Sequence, residues 1–137
     1  MTLSGIKGEK EREWHQKSQI AVFSWSSMAR GFWSGRFNRQ SFAAVKDTLD
    51  PWCVKAYCHE TNFIRLDRAE ALSAFYGVTV PQIAVAYIMN QPLNIFAIIG
   101  AASKNELEAN LTGLAVPLTQ DNRAWLDLKS DSHPVPG

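Results

Sequence analysis

The stretch Asn94-Ile95-Phe96-Ala97-Ile98-Ile99-Gly100-Ala101-Ala102-Ser103-Lys104-Asn105-Glu106 carries the reading of the fold. The apolar run over 94–99 predicts a buried strand, and Gly100 breaks it. Ser103 and Glu106 have the spacing of a capping box, which opens a helix directly after the break. Unpaired N–H groups at such a helix start point back toward the strand end and suit a phosphate group. A second junction of this kind lies upstream. Ile20-Ala21-Val22-Phe23-Ser24-Trp25 predicts another buried strand, and Ser26-Ser27-Met28-Ala29-Arg30-Gly31 leads out of it. Two such junctions predict two loops on one edge of a parallel sheet, where α/β proteins hold ligands.

Between and around these strands the pattern is helical. Residues 9–17 predict the end of a helix, 26–38 a loop carrying Gly31 and Gly35, and 39–46 a short helix. Asp50-Pro51 marks a turn, with an irregular stretch over 51–60. Phe63, Leu66, Ala69, Leu72 and Tyr76 recur at spacings of three and four, predicting a helix from Thr61 or Asn62 that stops at Gly77. Thr79 and Gln82 form another capping box, opening a helix to about Asn90 that Pro92 prevents from continuing. The helix opened by Ser103 runs to about Leu111, and Thr119 opens a last short one containing Trp125 and Leu126. The tail 130–137 is polar, Pro-rich and expected to fray. Only two strands emerge, and a pair buried on both faces cannot close a barrel by itself. The chain has the local grammar of a large α/β enzyme and about two of its units.

Composition removes several classes of function. The 137 residues are 46% hydrophobic, which suits one domain of ordinary size. A net charge of +1 with scattered Lys and Arg argues against a nucleic-acid partner. No apolar run approaches the ~20 residues of a membrane span. The start of the chain lacks the apolar core of a secretory signal, and two cysteines are too few for a disulfide scaffold. A cytoplasmic location is the expectation. Cys53, Cys58 and His59 fit no zinc spacing and read as structural. His15 and His133 fall in segments expected to be exposed, without catalytic partners. Tyr76 and Tyr87 read as packing residues on helices, and Glu9–Glu13 as a solvated helix face.

Three stretches together resemble the C-terminal part of the aldo/keto reductases, TIM barrels that use NADP(H). Trp25-Ser26-Ser27-Met28-Ala29-Arg30-Gly31 is similar to the segment after the family's seventh barrel strand. Gly77-Val78-Thr79-Val80-Pro81-Gln82-Ile83-Ala84 through Asn90-Gln91-Pro92 resembles the helix before strand eight. Ile99-Gly100-Ala101-Ala102-Ser103 through Leu107-Glu108-Ala109-Asn110-Leu111 resembles the loop and helix after it. The likeness runs from about Glu13 to Leu128.

The fold this implies is α/β, the last two βα units and terminal helix of a (β/α)8 barrel. It comprises a partial oxidoreductase domain over 1–129 and a tail over 130–137. Trp25 would stack on the nicotinamide, with Ser26, Ser27, Met28, Ala29 and Arg30 in the loop beside the pyrophosphate and Arg36 near it. Gly100, Ala102, Ser103, Glu106 and Asn110 would hold the adenine and the 2′-phosphate. Ser103, Lys104 and the helix start favour a dianionic phosphate, hence NADP over NAD. Departures from the family pattern are Ser27 for proline, Ala109 for a glutamate that touches adenine, and Glu106 for a frequent glutamine. A glutamate there is mildly unfavourable to phosphate.

The family's catalytic Asp, Tyr, Lys and His belong to the first half of the barrel, and no stretch of this chain matches them. The chain is therefore expected to contribute cofactor binding to hydride transfer with an aldehyde or ketone. The carbonyl substrate enters only if the other half of the barrel is supplied. The alternatives are a non-catalytic module that binds nucleotide or joins another barrel, and an inactive truncated product. Two strands with open edges also predict self-association.

Overall fold

The computed structural model describes residues 8–132. Helix α1 (Glu9–Ser18) leads to strand β1 (Val22–Ser24), followed by short helices α2 (Phe42–Val45) and α3 (Pro51–Tyr57). The long helix α4 (Glu60–Tyr76) and helix α5 (Val80–Met89) precede strand β2 (Ile95–Ala97). Helices α6 (Lys104–Thr112) and α7 (Gln120–Leu126) close the chain. The two strands pair in parallel, with Val22 opposite Ile95, Phe23 opposite Phe96 and Ser24 opposite Ala97. The ladder extends one bond at each end: Val22 N–H donates to Asn94 O and Ile98 N–H to Ser24 O, both at 2.8 Å. The result is an α/β arrangement of helices around a small parallel sheet.

Helix α5 is the centre of the core. Its residues from Ile83 to Ile88 are all buried, which is how a helix that is apolar all round must sit. It packs on β2, α4 and α6. Helix α4 buries Phe63, Leu66, Ala69 and Leu72, the periodic face expected of it, and ends at Gly77 in the left-handed region (φ 65°). Gln82 links α5 to α6. Its side-chain oxygen accepts from Thr79 N–H at 2.8 Å, completing the reach-back half of the capping box, and its Nε2 donates to Ala109 O at 2.8 Å. A Cβ at Gly113 would lie 2.8 Å from Gln82 O, so α6 approaches α5 this closely only with glycine there.

Several expectations need correction. Neither strand is buried on both faces. Phe23 and Phe96 stack on the open side of the sheet, 65% and 45% exposed with ring centroids 5.5 Å apart. Asp50-Pro51 does not turn into an irregular stretch but begins α3. Asp50 caps it by accepting from Trp52 N–H at 2.8 Å and Cys53 N–H at 3.0 Å, with proline at the first helical position. Helix α4 starts at His59 as N-cap, ahead of Thr61 and Asn62. Both strands are shorter than predicted, because each pairs only with the other.

Arg68 of α4 donates to Trp125 O and Ser130 O, both at 2.7 Å, and pairs with Asp131 at 3.0 Å, so the first residues of the tail are held. The rest of the predicted frayed tail (133–137), including His133, lies outside the described residues, as do residues 1–7 of the segment read for a signal. Among the described residues no single helix is long and apolar enough to cross a membrane.

Candidate functional site

A cleft of about 580 Å3 opens beside the sheet edge from which both junctions leave. Met28, Gly31, Ser34, Gly35 and Arg36 form one wall, from the loop after β1. Thr79, Val80 and Pro81, at the start of α5, form its floor. Gly100 with Glu106, Ala109 and Asn110 of α6 forms the other wall.

The loop wall is held by buried aromatic rings. Phe32, Trp33 and Phe37 are at most 4% exposed, and Phe32 lies edge-on to Trp33 with centroids 4.8 Å apart. This anchoring holds three non-glycine residues, Ser26, Ala29 and Arg30, in the left-handed region (φ 55°, 48° and 54°). Ser27 is buried and donates from Oγ to Ser24 O at 2.9 Å. Arg30 is turned away from the large cleft. Its Nε and Nη2 donate to the two oxygens of Asp50 at 3.2 and 3.0 Å. That guanidinium, with the N–H groups of Cys53 and Trp52, holds the Asp50 carboxyl below the ordinary range. Arg30 and Asp50 instead line a smaller cavity of about 150 Å3, together with Arg36 and Cys53.

The α6 wall is exposed and held by its cap. Ser103 Oγ accepts from Glu106 N–H at 3.2 Å. Glu106 does not close the box on Ser103 but reaches one residue further back, its Oε2 accepting from Ala102 N–H at 2.8 Å. Lys104 faces Glu108 at 3.5 Å across one helical turn. Asn110 is 4% exposed and lines the cleft, and its carboxamide has no hydrogen-bond partner among the described residues.

Of the residues singled out in the sequence, Met28, Arg36, Gly100, Glu106 and Asn110 meet in the cleft. Ser27 and Ala29 are buried beneath the loop, Arg30 faces Asp50, and Ala102 and Ser103 are engaged by the cap. Ser26 is part of the turn, its carbonyl accepting from Ala29 N–H at 2.8 Å. Trp25 follows β1 and is 62% exposed, outside the cleft lining. Sequence reading missed the floor at Thr79–Pro81, because a capping box has a sufficient structural reason, and it took Gly31 and Gly35 only as turn signals. The Cys58 thiol is pushed up to about 12 by burial and by the neighbouring Cys53 thiol. Among the described residues no group of three or more His, Cys, Asp or Glu is placed to hold a metal ion.

The family model of the aldo/keto reductases matches residues 4–130, and the chain belongs to the aldo/keto reductase family. Over 126 residues it is 25% identical to versiconal hemiacetal acetate reductase of Aspergillus parasiticus, covering 89% of this chain. The chain spans 36% of that relative's length.

Proposed function

We propose that this chain supplies the cofactor-holding part of an aldo/keto reductase-type oxidoreductase, taking the adenosine end of a nicotinamide dinucleotide in the cleft between the two junctions. One observation carries the reading. Arg36, a cation from the loop after β1, and Asn110, an otherwise unpartnered carboxamide of α6, line one cleft. A guanidinium suits a phosphate, and a carboxamide can pair with both N6 and N7 of adenine. The volume is in the range of small-molecule sites. Membership of a family that uses NAD(P)H supports the same ligand. The resemblance implies NADP(H), whose 2′-phosphate would have to sit at the start of α6.

In this reading β1 and β2 are the last two strands of a (β/α)8 barrel. Residues 1–129 form part of one domain and 130–137 its tail. The exposed stack of Phe23 on Phe96 fits a sheet face that a completed barrel would cover, or that a second copy would meet. Bound there, the cofactor supplies a hydride to a carbonyl carbon. The residues of this chain bind and orient it: Arg36 at the phosphates, Asn110 at the base, Trp25 beside the ring. The acid that protonates the carbonyl oxygen belongs to the half of the barrel that nothing here matches. A cytoplasmic location goes with this role.

The test is a calorimetric titration of the full chain with nicotinamide dinucleotides. Binding should be measurable but weak, and Arg36→Ala should weaken it about tenfold, the loss of one charge-assisted contact. Absence of binding at saturating dinucleotide, or affinity unchanged in both Arg36→Ala and Asn110→Ala, would overturn the assignment of the cleft.

A further inference from the structure

We propose that a second cavity, at the opposite end of α5 from the cleft, binds a small phosphate dianion between Arg12, Arg123 and Lys129. The proposal does not depend on the dinucleotide reading of the cleft. The cavity has a volume of about 310 Å3, and its lining includes Arg12 of α1, Gln91 just past α5, Arg123 of α7, and Asp127 and Lys129 at and beyond the end of α7. Three cations line it against one carboxylate.

The two arginines differ from ordinary surface charges in how they are held. Arg12 donates from Nη1 and Nη2 to Gln91 Oε1, at 3.2 and 3.1 Å. Gln91 is 7% exposed, and its own Nε2 donates to Tyr87 O at 2.9 Å, so the core fixes the acceptor. Arg123 donates from Nη1 to Leu118 O at 3.0 Å. Neutral oxygens thus orient both guanidiniums without cancelling their charge. The ion pairs among the described residues use Arg30, Arg39, Arg68 and Lys104, and none uses Arg12, Arg123 or Lys129. Asp127 is the single carboxylate of the lining, and one of its oxygens accepts from the Tyr87 hydroxyl. An anion that enters meets two guanidiniums already placed, each with N–H groups to spare, so little has to be ordered on binding. Two guanidiniums and an ammonium call for more than one negative charge. A phosphate monoester carries nearly two at neutral pH, and its oxygens suit the guanidinium fork. The volume leaves room for the organic body of such an ester.

The negative end of α5 by itself favours a cation such as Arg12, and Asp127 offsets part of the charge, so the experiment must read anion binding and not stability. The full chain is titrated with inorganic phosphate, glycerol phosphate and acetate at constant ionic strength, above the second phosphate pKa of about 6. Amide and carboxamide NMR resonances report which residues respond. Phosphate should shift those of Gln91, Arg123, Asp127 and Lys129 saturably in the millimolar range, and acetate should bind about tenfold more weakly. Tighter binding of glycerol phosphate assigns the site to an ester, and tighter binding of inorganic phosphate to the free ion. Arg123→Gln should weaken phosphate binding about tenfold, the loss of one charge-assisted contact. Asp127→Asn keeps an oxygen for the Tyr87 hydroxyl and removes the negative charge, so it should tighten binding about threefold. Circular dichroism melting shows whether each variant remains folded. If Arg123→Gln does not, the exposed Lys129→Gln replaces it, with a loss of about threefold. The proposal is overturned if no saturable shift appears at these residues, or if shifts are confined to the cleft around Arg36. Equal affinity in the wild type and in every folded variant overturns it as well.

Discussion

The two strand-to-helix junctions share one sheet edge and are built on opposite plans. The first is long, and its loop is itself core: Phe32 is fully buried, and Trp33 and Phe37 nearly so. It carries three left-handed non-glycine residues, each of which costs on the order of 1–3 kcal/mol. Such a backbone persists only where its surroundings leave it no alternative, and here the aromatic rings and the Arg30–Asp50 pair do that. The second junction is short. Residues 100–109 are all exposed, and hydrogen bonds from Ser103 and Glu106 shape its turn. One wall of the cleft is therefore fixed by packing. The other is set by a few polar contacts that a ligand can compete for.

This contrast is broken most severely at Phe32. Phe32→Ala removes a ring that touches Trp33, Phe37 and Phe63, and it should cost about 3–5 kcal/mol. Denaturant unfolding should show a large fall in midpoint. A fall of less than about 1 kcal/mol would mean that the loop is not part of the core and that its left-handed residues are held by something else.

The same contrast decides what could be read from the sequence. Junctions and helices governed by neighbours a few residues apart were legible. The Thr79–Gln82 pair, the Ser103 cap, Gly77 and the period of α4 all act within one or two helical turns. The Asp50–Pro51 pair carries a local signal too, but an ambiguous one: the same two residues mark a turn, and an N-cap aspartate followed by proline equally starts a helix. What had no local signal was set by distant partners. Arg30, in the loop after β1, is drawn away from the large cleft by the aspartate that caps α3, and nothing near Arg30 announces it. The apolar run at Ile20–Trp25 states that a strand wants cover on both faces but not whether cover is present, and Phe23 is left exposed. Five of the candidate site residues meet in the cleft because they sit at the two junctions. The floor at Thr79–Pro81 had to await the packing of α5.

A smaller effect tests the second junction. Ser103→Ala removes the acceptor for Glu106 N–H and should cost about 1 kcal/mol, the usual worth of a helix N-cap. The loss should be local, appearing as faster hydrogen exchange of the first-turn amides of α6 and little change elsewhere. A drop in global stability as large as that of Phe32→Ala would erase the distinction between the two walls.

The smallest expected effect concerns the charge pair that fastens the first junction. Arg30 and Asp50 are both exposed, so their attraction is screened by water and salt and adds only a little to what the aromatic rings provide. Its sign with pH is nevertheless fixed. The folded chain holds the Asp50 carboxyl below its ordinary value, chiefly through the Arg30 guanidinium. The unfolded chain therefore takes up the proton first as the solution is acidified. The stabilisation is present above the unfolded pKa of about 4 and is lost as pH falls through the lower folded value. Asp50→Asn keeps an oxygen able to cap α3 while removing the charge, so it isolates the pairing from the cap. Thermal midpoints of wild type and variant should differ slightly at pH 7 in low salt and converge as the pH falls through the lowered folded value, where the native carboxyl also takes up its proton. A difference that stays constant over that range would show that the pair contributes nothing, leaving the aromatic rings as the fastening of that wall.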